Sequence, residues 1–73
     1  MSEIGSTREL GKLISQERKH QELTQVQLAG LSGVGTTFLS NLENGKPTAE
    51  LGKTFDVLMT LGLGLFAERR ANE

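Results

Sequence analysis

The stretch Thr24-Gln25-Val26-Gln27-Leu28-Ala29-Gly30-Leu31-Ser32-Gly33-Val34-Gly35-Thr36-Thr37-Phe38-Leu39-Ser40-Asn41-Leu42-Glu43-Asn44-Gly45-Lys46 reads as two short helices meeting at a glycine-bearing turn. This is the pattern of a helix-turn-helix, which points to sequence-specific contact with DNA. The Thr24 hydroxyl can cap the first of the two helices, and Gln27, three residues on, completes a capping box. Leu28, Ala29 and Leu31 supply its expected buried side. Gly33 stands where the chain must leave the helix with positive φ, a state open to glycine at no steric cost. The second helix restarts at about Gly35 or Thr36 and is expected to run to Asn44, with Asn44-Gly45 as its stop.

Working outward, the upstream segment from Ser6 or Thr7 to His20 carries Leu10, Leu13 and Ile14, with Glu17 or Arg18, at helical spacing. Gln21-Glu22-Leu23 links it to the motif, with Leu23 expected to plug the core beneath the Thr24 cap. Downstream, Lys46-Pro47 forces an extended link. Thr48 is then the expected cap of a helix reaching about Leu61, with Leu51, Phe55, Leu58 and Leu61 turned inward. The tail from Gly62 to Glu68 partly alternates, placing Leu63, Leu65 and Ala67 on one side of a strand. A lone strand leaves its backbone groups unpaired. The same strand of a second copy would pair it, giving a two-fold dimer joined by an antiparallel ribbon; the alternative is a final helical turn or a frayed tail. The expected fold is all-α, a compact domain of four to five helices with a short C-terminal strand. Its divisions are a disordered start at 1–5, the helix-turn-helix domain at 6–61, a dimerisation strand at 62–68 and a flexible tail at 69–73.

Composition narrows the function. A chain of 73 residues has room for one domain with a thin core, which dimerisation would help to hold. It has no cysteine, so neither a disulfide framework nor a thiolate zinc site is available, and the single His20 makes metal binding improbable. No apolar run approaches the roughly 20 residues that cross a bilayer. Met1-Ser2-Glu3-Ile4 lacks the basic and apolar pattern of a signal peptide, so the expected site of action is cytoplasmic, away from membranes. No nucleophile has a plausible base, Gly33-Val34-Gly35 lacks the lysine of a phosphate loop, and the core is too small to house a pocket. The expectation is a non-enzyme without cofactors.

Charge speaks against nucleic acid at first sight. Lys and Arg number 8 against 9 Asp and Glu, a net charge of −1, where DNA binders often show a basic excess. The local field at the phosphates matters more than the sum. The second helix of the motif, from Thr36 to Leu42, contains no acid. Lys46 follows it, and Lys19, His20 and Lys53 are candidate rim contacts. Thr36, Thr37, Ser40 and Asn41 project together at one-turn spacing toward base edges. Asn41 can pair bidentately with adenine, while each threonine offers one hydroxyl and one methyl. Taken singly, the same residues are caps and exposed helix positions. Phe38 can stack near the sugar–phosphate chain or pack against the first helix.

These residues resemble the helix-turn-helix family of the lambda and Cro repressors, through Thr24-Gln25, Leu28-Ala29, Gly33-Val34 and the run from Leu39 to Lys46. The resemblance implies that Gln25 binds phosphate and that Arg18 pairs with Glu43 as an internal brace. Gly35 departs from the Ser, Thr or Lys often found there. The tail sharpens the likeness: Leu10-Gly11-Lys12-Leu13-Ile14, Gly45-Lys46-Pro47-Thr48 and Leu63-Gly64-Leu65-Phe66 look like the HipB-type antitoxins, whose dimers join through such a C-terminal strand. That group's biology implies a homodimeric repressor of a palindromic double-stranded DNA operator, antitoxin and autorepressor of a two-gene operon, with a HipA-like serine/threonine kinase toxin as partner. The alternatives are a stand-alone lambda/Cro-like repressor without a toxin, or a helix-turn-helix scaffold used only for protein binding.

Overall fold

The computed structural model describes residues 3–69 and 71. The expected disordered start and flexible tail fall partly on residues 1, 2, 70, 72 and 73, which lie outside the described residues. Four helices follow in order: α1 Thr7–His20, α2 Gln25–Ser32, α3 Thr36–Glu43 and α4 Leu51–Thr60. Each starts and stops for a local reason. Ser6 caps α1, its hydroxyl accepting from Glu9 N–H at 3.1 Å. Thr24 caps α2 through a full capping box: its hydroxyl accepts from Gln27 N–H at 3.1 Å, and Gln27 Oε1 accepts from Thr24 N–H at 2.8 Å.

All four helices end by the same device. After each, one residue turns left-handed and the next N–H reaches back to a carbonyl of the final turn: Leu23 to Arg18, Val34 to Ala29, Lys46 to Asn41 and Leu63 to Leu58, at 2.9 to 3.1 Å. Gly33, Gly45 and Gly62 occupy three of the left-handed positions, at φ of 71°, 80° and 75°. Glu22 takes the fourth at φ 60°, where its Cβ is crowded.

Three helix pairs build the core: α1 on α3, and α2 on both α3 and α4. Its buried members are Ile14 of α1, Leu28 and Ala29 of α2, Leu39 and Leu42 of α3, and Val57, Leu58 and Leu61 of the last segment. Leu10, Leu23, Val34, Phe38, Ala49 and Leu63 pack against this cluster from its edges. The closest approach is at Gly11. A Cβ there would strike Leu42 O and stand 2.7 Å from Glu43 O, so α1 crosses the end of α3 backbone to backbone.

The structure corrects three expectations. Leu31 is 67% exposed; Ser32, four residues beyond Leu28, completes the inward face of α2, so the outward turn takes Leu31. Thr48 is not a cap, since Pro47-Thr48 form a turn closed by Ala49 N–H to Lys46 O at 3.3 Å, and α4 starts later than read, at Leu51. The buried face of α4 is Thr54, Val57, Leu58 and Leu61, which leaves Leu51 and Phe55 on its open side. Thr54 is tolerated inside because its hydroxyl donates to Glu50 O at 2.8 Å. Beyond these, the described residues of the single chain contain no strand: residues 63–69 are neither helix nor strand. Gly62 serves as the left-handed stop of α4, and the bond from Leu63 N–H to Leu58 O folds Leu63 back onto the core. A strand of one chain has no partner strand within that chain.

Candidate nucleic-acid interface

The α2 capping box and the turn at Gly33 set where α3 begins. Gly35 is its N-cap residue and offers no side-chain cap, so the first turn of α3 keeps its amides open beside Thr36 and Thr37. Both threonines are exposed, and Ser40 and Asn41, one turn on, are half-buried. Leu39 and Leu42 fill the opposite side, at 0% and 4% exposure. The four polar residues read from the sequence therefore share the outer face of α3. Lys46 stands exposed just past its end.

Gln25 is the first residue of α2. Its Nε2 donates to Glu43 Oε1 at 3.1 Å. The same carboxylate receives Arg18 from two directions, Nε to Oε2 at 2.7 Å and Nη2 to Oε1 at 3.0 Å, while Arg18 Nη1 donates to Leu23 O at 2.8 Å. One guanidinium thus ties α1 to the end of α3 and to the linker before α2. Both side chains are buried, at 11% and 6% exposure. Burial alone would raise the carboxyl pKa of Glu43; hydrogen bonds from Arg18 and Gln25 and the Arg18 charge outweigh it and hold Glu43 below its usual range. Arg18 is raised by its hydrogen bond to Glu43 against the cost of its own burial.

Sequence reading names both Lys53 and Phe38 but misses the contact between them. Lys53 of α4 sets its ammonium 5.7 Å from the centre of the Phe38 ring, a cation–π distance. Phe38 is half-buried against the core, a packing role that leaves one ring face to Lys53. Leu63 is half-buried, whereas Leu65 and Ala67 of the expected dimer strand are exposed in the single chain. Among the described residues no group of three or more His, Cys, Asp or Glu side chains is placed to hold a metal ion, and no helix is long and apolar enough to cross a membrane.

The profile of the helix-turn-helix family matches residues 14–63, from the middle of α1 to the residue after Gly62. The chain belongs to the helix-turn-helix family. It is 47% identical over 62 residues, 85% of this chain and 82% of the relative, to an uncharacterized HTH-type transcriptional regulator, y4mF, of Sinorhizobium fredii. It is 33% identical over 60 residues, 80% of this chain and 67% of the relative, to the ImmF control region 10 kDa protein of Bacillus phage phi105. Among solved structures, HipB in its O4 20-mer complex superposes with a TM-score of 0.86 at 26% identity, covering 94% of this chain and 97% of that one. The HipA-HipB-O2-O3 complex gives 0.87 over the same shares. The chain is a HipB-like helix-turn-helix protein, and membership makes α2 and α3 the DNA-binding unit of a transcriptional regulator.

Proposed function

We propose that the chain is a sequence-specific transcriptional repressor that binds a palindromic operator as a homodimer, and that it is the antitoxin and autorepressor of a toxin–antitoxin operon. One observation carries the DNA part: Thr36, Thr37, Ser40 and Asn41 form a polar outer face on α3, next to the open amides of its first turn and the start of α2. Such a face fits base edges through hydroxyl and amide groups. Gln25 and Lys46 flank it as phosphate contacts. Arg18 and Glu43 act behind it as a structural brace.

Dimerisation is supported by apolar surface that one copy leaves open. Leu51, Phe55 and Met59 recur every four residues along α4 at 66%, 39% and 74% exposure, and Leu65 and Phe66 of the tail are exposed at 55% and 77%. A small protein seldom leaves such an array bare. A second copy related by a two-fold axis covers α4 with α4 and pairs the tails through the backbone between Leu63, Leu65 and Ala67.

The toxin partner rests on the likeness to HipB, which has been solved with HipA. A HipA-like kinase is accordingly the partner to test. The phage control-region relative favours a second reading, a repressor without a toxin. The deciding experiment has two arms. The purified chain is first used to select duplexes from a randomised pool; recovery of a palindromic consensus is expected, and no enrichment would overturn the DNA reading. It is then co-expressed with the kinase-like product of a neighbouring gene; a stable complex that relieves growth arrest is expected, and its absence leaves the repressor without a toxin.

A further inference from the structure

On α1 the cations Arg8, Lys12 and Lys19 stand with Ser15 at successive offsets of four, three and four residues, the spacing that gathers side chains on one face of a helix. All three cations are exposed, and no ion pair among the described residues neutralises them. The acids of the same helix keep their charge and make local hydrogen bonds rather than ion pairs. Glu9 Oε1 accepts from Gly5 N–H at 3.1 Å and from Ser6 Oγ at 3.2 Å, and Glu17 Oε2 accepts from the Gln21 amide at 2.8 Å. The three cations thus line one face of α1, bordered near Lys12 by Glu3 and Glu9, in a chain whose net charge is −1.

Three contacts locate the strip. At its start, a Cβ on Gly45 would stand 2.7 Å from Arg8 Cα, and Thr7 Oγ1 donates to Gly45 O at 2.8 Å, so the strip begins beside Lys46. At its middle, Gly11, the residue before Lys12, lies against the main chain of Glu43, where a Cβ would stand 2.7 Å from Glu43 O, and the Glu43 carboxylate also holds Gln25. At its end, Lys19 O accepts from Glu22 N–H at 2.9 Å, just before the Thr24 cap. The strip thus follows the edge of the α2–α3 unit between the two residues that flank the reading face. From Arg8 to Lys19 it spans ~16 Å at the usual rise of an α-helix, long enough to reach more than one phosphate of a strand spaced at about 3.4 Å along the duplex axis.

We propose that Arg8, Lys12 and Lys19 form a phosphate-binding strip that holds the sugar–phosphate backbone of duplex DNA at the flank of each half-site. The strip supplies the sequence-independent attraction that the uncharged outer face of α3 lacks. This rests on the DNA-binding reading of α3 and deepens it: α1 becomes a DNA-facing surface as well as a packing helix.

The test measures binding by fluorescence anisotropy across a salt series, on a duplex selected by the wild-type chain and on a random duplex of equal length. The variant R8Q/K12Q/K19Q is compared with wild type and with the charge-preserving R8K/K12R/K19R. The neutral variant should weaken both duplexes by a similar factor and flatten the slope of log affinity against log salt by about 0.9 for each phosphate that is no longer neutralised. The charge-preserving variant should keep the wild-type slope. Both should unfold at the wild-type temperature, since the three side chains are exposed. A neutral variant with the wild-type slope on both duplexes overturns the strip while leaving the α3 reading intact. A wild-type chain that retains neither duplex at low salt overturns the DNA reading, and the strip with it.

Discussion

Gln25 and Arg18 share one acceptor: Glu43 Oε1 takes the Gln25 amide at 3.1 Å and the Arg18 guanidinium at 3.0 Å. The side chain that opens α2 is thereby fixed by a carboxylate at the end of α3, and that carboxylate by a cation from α1. Orientation of the two helices relative to each other is written into a single buried group.

The first prediction concerns that group. Glu43 has its folded-state pKa depressed below its unfolded value. Its contribution to stability is therefore present above the unfolded pKa, about 4.3, and is lost as pH falls through the folded-state value. Glu43→Gln removes this pH dependence, and removal of either partner alone destabilises by about 3–5 kcal/mol because the other charge stays buried. Thermal unfolding across an acid pH series checks the first statement. A double-mutant cycle with Arg18→Met checks the second; additive losses would refute the brace.

Base reading and backbone holding should separate by residue. Asn41→Ala is expected to lose discrimination at one base pair, by roughly 1 to 3 kcal/mol, with little change on random DNA. Lys46→Ala should weaken every duplex and lower the salt slope by about 1. Titrations of operator and random DNA in parallel decide the matter, and equal losses on both for the two variants contradict the assignment.

Glu22 is the one non-glycine residue with positive φ among the described residues. Glu22→Gly should relieve the crowding and stabilise the fold by about 1 kcal/mol, which in a domain of this size raises Tm by roughly 4 to 8 °C. Differential scanning calorimetry reads this directly. A lower Tm would mean that the entropy added to the unfolded chain outweighs the relief.

The dimer is tested through the tail. Leu65→Pro removes a backbone donor, and truncation after Gly62 removes the whole pairing segment. Helicity by circular dichroism should persist in both, because the buried core ends at Leu61 and Leu63 packs only against its edge. Sedimentation should show monomers. Operator affinity should fall by about 100-fold or more, since two reading helices must be held about 34 Å apart to engage both half-sites. A truncated chain that stays dimeric assigns the interface to Leu51, Phe55 and Met59 of α4 alone.

What the sequence discloses depends on whether a local signal exists. The Thr24–Gln27 pair and Gly33 mark both ends of α2 because capping and left-handed turns have their own residue preferences, and the four polar residues of α3 follow from helical period once its start is known. The inward faces are harder. Leu51, Phe55, Leu58, Leu61 and Thr54, Val57, Leu58, Leu61 both satisfy the helical period; the first is the more apolar, and the fold buries the second because packing against α2 decides which side turns in. Leu31 misleads in the same way. Arg18 and Glu43 lie 25 residues apart, so no spacing rule joins them, and only a family resemblance suggests the pair. Glu22 carries no mark of its left-handed state. Gly62 fits a helix stop and a strand start equally well by residue type.

Because α1 meets α3 at Gly11 through main-chain atoms, the pose of α3 does not depend on which rotamers its outward residues adopt. Thr36, Thr37, Ser40 and Asn41 stand on the far side of that contact. Under the proposed reading they are type set in a fixed press: new residues at those positions are expected to spell a different operator while the frame that presents them stays the same.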